Sequence, residues 1–183
     1  MKTYILFDLD GTLVNSKEGI VKSVYYALDA LEVREDEPEK LERFIGPPLH
    51  ESFRDFYQLN DHAAKKAVEK YRERYTKKGV YECKPYDGIP QLLTDLRAAG
   101  KKLCVATSKP QLFADQILET HHLPNEFDVV VGATLDESLV LKAAILRAVF
   151  SHLHVQSKDH IIMVASRRLD ASGAKEFGMD CIG

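Results

Sequence analysis

The sequence predicts an α/β fold: a parallel sheet with helices on both faces, and an all-α module inserted after the first strand. Two observations give this reading. Short apolar runs rich in β-forming residues alternate with helical periodicity over residues 1–15 and 83–183, as in a parallel sheet built by crossover helices. Residues 16–82 contain no strand-like run, so they read as a four-helix module that interrupts the alternation.

The elements follow in chain order. Thr3–Phe7 is a buried strand, closed by the Asp10-Gly11 turn signal. Ser16 is placed to cap a helix whose apolar stripe is Ile20, Val24, Leu28 and Leu31. Arg34–Lys40 is charged and reads as a solvated turn, and a short helix then runs to Phe44. Ile45-Gly46-Pro47-Pro48 forces a bend, because proline lacks a backbone donor and restricts its predecessor. Helical patterns follow over Leu49–Tyr57 and Asp61–Tyr75. Beyond them, Ile89–Ala99 carries Ile89, Leu92, Leu93 and Leu96 on one face and stops at Gly100. Further strands are read at Lys102–Ala106, Phe127–Val131 and Ile161–Val164, with a weaker one at Met179–Ile182. Between them lie helices at Gln111–Thr120, opened by Pro110, at Leu139–Leu153, and at Asp170–Phe177, stopped by Gly178.

Composition narrows the function. Hydrophobic residues are 45% and charged residues 29% of the 183, an ordinary globular balance that argues against disorder. The net charge of −3, with no basic block, argues against nucleic-acid binding. Three dispersed cysteines, Cys83, Cys104 and Cys181, suit neither a zinc site nor a disulfide framework. They point to a reducing compartment, with Cys104 and Cys181 as small buried hydrophobes. The apolar run Tyr4–Phe7 is too short for a signal peptide, and no stretch approaches membrane-spanning length. A soluble cytoplasmic protein is expected.

Polar groups collect at the carboxyl ends of the predicted strands, where α/β sheets bind ligands. Asp8 and Asp10 follow the first strand. Two such carboxylates are costly unless they share a cation or perform chemistry. Asp8 can act as a nucleophile and Asp10 as a general acid and base, although an Asp-Gly turn after a strand is also common. Thr107 and Ser108 end the second core strand, where they suit either a phosphate oxygen or a helix cap. Lys142 opens the helix after the third. Asp170, beyond the fourth, reads as a helix cap or as a group that helps hold a metal.

With these residues in view, the whole chain resembles haloacid dehalogenase superfamily phosphatases, a Rossmann-like core with a helical cap, in the phosphoglycolate phosphatase-like group. Phe7-Asp8-Leu9-Asp10-Gly11-Thr12-Leu13-Val14 is similar to the family's first motif and Val105-Ala106-Thr107-Ser108-Lys109-Pro110 to its second; Lys142 stands at the third motif's lysine. Phe44, Ile45, Gly46 and Pro47 resemble a substrate-facing cap loop, and Tyr86-Asp87-Gly88-Ile89 the linker returning to the core. The resemblance implies a core domain of 1–15 and 83–183 and a cap of 16–82. It implies Asp8 as nucleophile, Asp10 as acid and base, and Thr107, Ser108 and Lys142 as phosphate ligands. It also implies Mg²⁺ held by Asp8, Asp10 (through its backbone carbonyl) and Asp170. The expected ligand is a small phosphorylated metabolite such as phosphoglycolate, a nucleotide or a sugar phosphate, and the expected state a monomer or weak homodimer.

The fourth motif departs from this pattern. Its first aspartate, a direct metal ligand in the family, is Ser166 here, and a neutral hydroxyl is a weaker ligand for Mg²⁺. Asn15 replaces an aspartate that often begins such caps, Leu139 stands where some relatives carry arginine, and the chain stops at Gly183 where relatives continue. Two alternatives to a phosphatase stand beside it: a catalytically impaired binding protein of the same fold, and a phosphomutase.

Overall fold

Strand β1 (Tyr4–Phe7) lies at the middle of a five-stranded sheet and pairs in parallel with β4 (Lys102–Pro110) on one side and β6 (Ile161–Val164) on the other. Strands β5 (Val129–Ala133) and β7 (Asp180–Ile182) pair in parallel at the two edges, giving the order β5-β4-β1-β6-β7. The strand order turns back between β1 and β6, the switch point at which such sheets open a crevice. The computed structural model describes residues 2–136, 139–153 and 158–183. The chain divides into two units, Met1–Asn15 with Lys84–Gly183, and Ser16–Cys83.

In the first unit, one face of the sheet presents Leu6, Cys104, Ala106, Ile161 and Met163. These pack with Ile145, Leu146 and Val149 of α6 (Lys142–Leu153) and Ala174 of α7 (Arg168–Glu176). The residues alternate along each strand, as a period of two requires. α4 (Ile89–Ala98) and α5 (Gln111–Thr120) pack against β4 without joining that cluster, and so cover the other face. A two-residue antiparallel ribbon, β2 (Val14–Asn15) with β3 (Lys84–Pro85), makes Asn15 the Cα partner of Lys84.

Two strands differ from expectation by more than one residue at an end. The strand expected at 127–131 runs 129–133, because Asp128 turns its carboxylate back to accept from the Leu103 amide at 2.9 Å and to pair with Arg97 at 2.7 Å. β4 continues to Pro110 through a register shift after Ala106, since Pro110 still partners Ala133. The helix expected at 139–153 begins only at Lys142.

The second unit holds α1 (Lys17–Asp29), a 3-10 helix (Pro38–Phe44), α2 (Leu49–Tyr57) and α3 (Asp61–Lys77). Pro38 opens the 3-10 helix, whose first turn takes up residues expected in a solvated turn; proline suits that position because its missing donor would be unsatisfied there anyway. Ser16 sits at the start of α1, but its side chain makes no capping bond. Its backbone (φ −101°, ψ 8°) is not the extended conformation that capping uses. The Glu82 carbonyl accepts from the Gly19 amide instead, at 3.2 Å. No helix of the described residues is long and apolar enough to cross a membrane.

Candidate active site

The loop after β1 winds around one acceptor. The amides of Thr12, Leu13 and Val14 all donate to the Leu9 carbonyl, at 3.2, 2.9 and 3.1 Å. Leu9 and Leu13 are fully buried and anchor the loop to the core. Gly11 adopts φ +83°, where an L side chain is strained, and a Cβ there would meet the Ser166 hydroxyl at 3.0 Å and the Arg167 guanidinium at 3.2 Å. This turn holds Asp8 and Asp10 in the protein, 5% and 7% exposed.

Each carboxylate meets its own buried ammonium. Lys142, the first residue of α6, donates to Asp8 Oδ1 at 2.9 Å and to the Ala106 carbonyl at 2.8 Å, and pairs with Asp170 Oδ1 at 2.5 Å. Lys109 reaches both oxygens of Asp10, at 3.0 and 2.9 Å. Burial, Asp170 and Asp10 together outweigh the pull of Lys142 and push the Asp8 carboxyl above the usual carboxylate range. Burial alone would lower the Lys142 ammonium, but Asp8 and Asp170 hold it above the usual lysine range, so it stays charged.

Of the residues expected at the site, Asp8, Lys142 and Asp170 form one network, and Asp10 is buried two residues from Asp8. Thr107 is buried on the same strand end, and its hydroxyl oxygen accepts from the Lys109 amide at 3.2 Å. Among the described residues no acceptor takes the hydroxyl's own proton. Ser108 points elsewhere: alternation along β4 turns it away from Thr107, and its hydroxyl donates to the Val140 carbonyl at 3.2 Å. It braces the segment before Lys142. Phe44 is an interior residue of the helical unit, with ring centroids 4.8 Å from Phe53 and 5.2 Å from Phe56. Ile45, Gly46 and Pro47 are half-buried in the segment that follows it.

Two further residues, Lys109 and Arg167, reach the site outside the expected set. Lys109 lies two residues beyond Thr107, and the period of two along a strand is the signal that assigns it to the same side. Arg167 lays its guanidinium against Gly11, beside Ser166, whose amide donates to the Thr12 hydroxyl at 3.1 Å. Nothing in the local sequence marks that contact.

A divalent cation has partial support here. Three buried carboxylates (Asp8, Asp10, Asp170) face two buried ammoniums (Lys109, Lys142), leaving a negative excess that a cation would relieve. Arg167 is partly solvated and screened, and offsets this less. Among the described residues, however, no three carboxylate, imidazole or thiol groups converge to hold a metal. Of the expected donors, the Asp8 carboxylate, the Asp10 backbone carbonyl and Asp170, the last is paired with Lys142 at 2.5 Å, while Lys109 takes the two side-chain oxygens of Asp10 and leaves its carbonyl to a cation. The donors that remain suited to a cation are the Asp8 carboxylate and the Asp10 backbone carbonyl, completed by water as Mg²⁺ sites often are.

None of the three cysteines forms a disulfide. Burial pushes the Cys104 thiol up to about 12, so it is inert, whereas Cys181 is half-buried at the sheet edge.

A haloacid dehalogenase-like hydrolase family model matches residues 5–183. A 5'-nucleotidase from Pseudomonas aeruginosa is 40% identical over 98% of this chain and 80% of its own length. Tyrosine-protein kinase PtkA from Mycobacterium tuberculosis is 36% identical over 97% of this chain, which spans 60% of that relative's length. The crystal structure of a predicted phosphatase from Clostridium acetobutylicum matches with a TM-score of 0.95 at 41% identity, over 100% of this chain and 84% of that one.

Proposed function

The chain belongs to the haloacid dehalogenase-like hydrolase family, and on that premise we propose that it hydrolyses a small phosphate monoester through a phosphorylated Asp8. The observation that carries this reading is the buried Asp8 carboxylate at the end of the central strand, with the Lys142 ammonium 2.9 Å from Oδ1. Oδ2 has no hydrogen-bond donor among the described residues and is the oxygen that attacks phosphorus. The P–O bond to the leaving group breaks as Asp10 delivers a proton to that oxygen. Asp10 then takes a proton from the water that attacks phosphorus, which releases phosphate and restores the Asp8 carboxylate. Lys142 and the Thr107 hydroxyl face the charge on the transferring group, where fixed donors in a dry site lower the barrier most.

Mg²⁺ is proposed beside Asp8, held by its carboxylate and the Asp10 carbonyl, where it would neutralise charge on the phosphoryl oxygens. Ser166 offers it a hydroxyl where a carboxylate would bind more strongly. A nucleoside 5'-monophosphate is the first substrate to test, because a relative 40% identical over nearly the whole chain is a 5'-nucleotidase.

Phosphate release from AMP and from p-nitrophenyl phosphate, with Mg²⁺ and with chelator, tests the reading against Asp8→Asn. The parent should turn over in Mg²⁺ and the variant should lose at least about 10³-fold, a conservative floor against the roughly 10⁶-fold seen when a nucleophile is removed. Undiminished turnover in the variant would reject the mechanism. Ser166 motivates the second reading, a phosphate-binding protein with little turnover. It requires that the parent binds orthophosphate without hydrolysing either ester, and that Ser166→Asp gains activity.

A further inference from the structure

We propose that Lys109 is a positioning residue that aims the general acid Asp10 at the leaving oxygen. This rests on the phosphatase reading above and adds a residue to it. The Lys109 ammonium touches both oxygens of Asp10, at 3.0 and 2.9 Å, and both side chains are almost wholly buried, 4% and 10% exposed. A carboxylate held at one oxygen can still swing about its side-chain torsions. Held at both oxygens by one cation, its plane is fixed.

No other buried ammonium of the described residues is available for this work, since Lys142 is committed to Asp8, Asp170 and the Ala106 carbonyl. The register shift in β4 after Ala106 lies on the segment that carries Lys109, and such irregularities re-aim side chains next to sites. The backbone amide of Lys109 also donates to the Thr107 hydroxyl oxygen, at 3.2 Å. One residue therefore fixes two groups with opposite tasks: Thr107 at the phosphoryl oxygens and Asp10 at the oxygen that leaves. Their spacing across the breaking bond is set by a single backbone position.

The consequence is a dependence on the leaving group. An aryl phosphate releases a stable oxide and needs little proton donation, whereas an alkyl phosphate needs it fully. Parent, Lys109→Met, Lys109→Arg, Asp10→Asn and Asp8→Asn are compared on p-nitrophenyl phosphate and on β-glycerol phosphate, with kcat and KM separated and thermal melting followed for each. For Lys109→Met, kcat on the alkyl ester should fall by about tenfold or more, in keeping with the cost of a small misplacement. Its loss on the aryl ester should be several-fold smaller, and KM should hold within about twofold on both. Lys109→Arg should show the same bias at smaller size; if Lys109→Met does not fold, the arginine variant decides. Equal losses on both esters, or none, would overturn the role of Lys109. If Asp8→Asn abolishes turnover and Asp10→Asn shows the bias but the Lys109 variants do not, this inference alone fails. If Asp8→Asn stays active, the phosphatase reading itself fails.

Discussion

Asp8 and Asp10 are buried two residues apart, and each has a different lysine as its counter-ion. Removing one member of a buried pair costs roughly 3–5 kcal/mol, because the other is left charged and unpaired. The position of Lys142 depends in turn on the absence of a side chain. A Cβ on Gly173 of α7 would lie 2.7 Å from Lys142 Cβ and 2.9 Å from its Cγ, near the root of the side chain where rotation offers no escape. Gly173→Ala should therefore shift Lys142 and cost about 1–3 kcal/mol by overpacking, read from urea unfolding. Turnover should fall with it. A variant as stable and as active as the parent would show that α6 and α7 yield freely at this contact.

Among the elements, the start of α1 is held by the chain that closes the helical unit. Gly19 donates to the Glu82 carbonyl, and the Arg74 fork on α3 grips both oxygens of Glu82, at 2.8 and 3.0 Å, while also donating to Ser23 of α1 at 3.1 Å. Hydrogen bonding from Arg74 holds the Glu82 carboxyl below the usual carboxylate range. Gly19 also lies against backbone: a Cβ there would sit 2.0 Å from the Gly79 carbonyl oxygen. Helix propensity alone says that Gly19→Ala should stabilise α1 by about 1 kcal/mol. Contact with Gly79 predicts the reverse, a loss of about 1–3 kcal/mol, visible as a lower melting temperature. A raised melting temperature would mean that the 3-10 turn at 79–81 moves aside without cost.

At the scale of the whole molecule, the sheet unit is interrupted in sequence but continuous in its pairing. Asn15 and Lys84, the residues that flank the helical unit, are Cα partners in the β2–β3 ribbon. A tight turn such as Asn-Gly joins antiparallel neighbours of this kind. Replacing residues 16–83 by such a turn should leave the sheet unit folded, because its core cluster and its buried ion pairs lie wholly within it. Circular dichroism and a cooperative melt would verify this, and an unfolded product would show that the sheet unit requires the helices.

Elements that rest on local chemistry are legible without the fold. Gln111–Thr120 and Leu49–Tyr57 are legible from helical periodicity and the proline before each, and Ile161–Val164 from its run of apolar β-forming residues; their observed limits are the same. Asp8 and Asp10 were legible because two carboxylates after a buried apolar run are anomalous wherever they occur. Where a boundary was misplaced, a distant partner had decided it: Asp128 binds the Leu103 amide, and Glu82 does for α1 what Ser16 was expected to do. Ser108 and Lys109 make the same point at the site. Both sit in one polar segment, and only the register of β4 turns the first to Val140 and the second to Asp10. Which cation meets which carboxylate was likewise settled by tertiary structure alone, since the partners stand 134 and 99 residues apart. Local sequence fixes a residue's type and its phase along an element. Charge pairing needs two elements brought into register, and packing of the sheet supplies that.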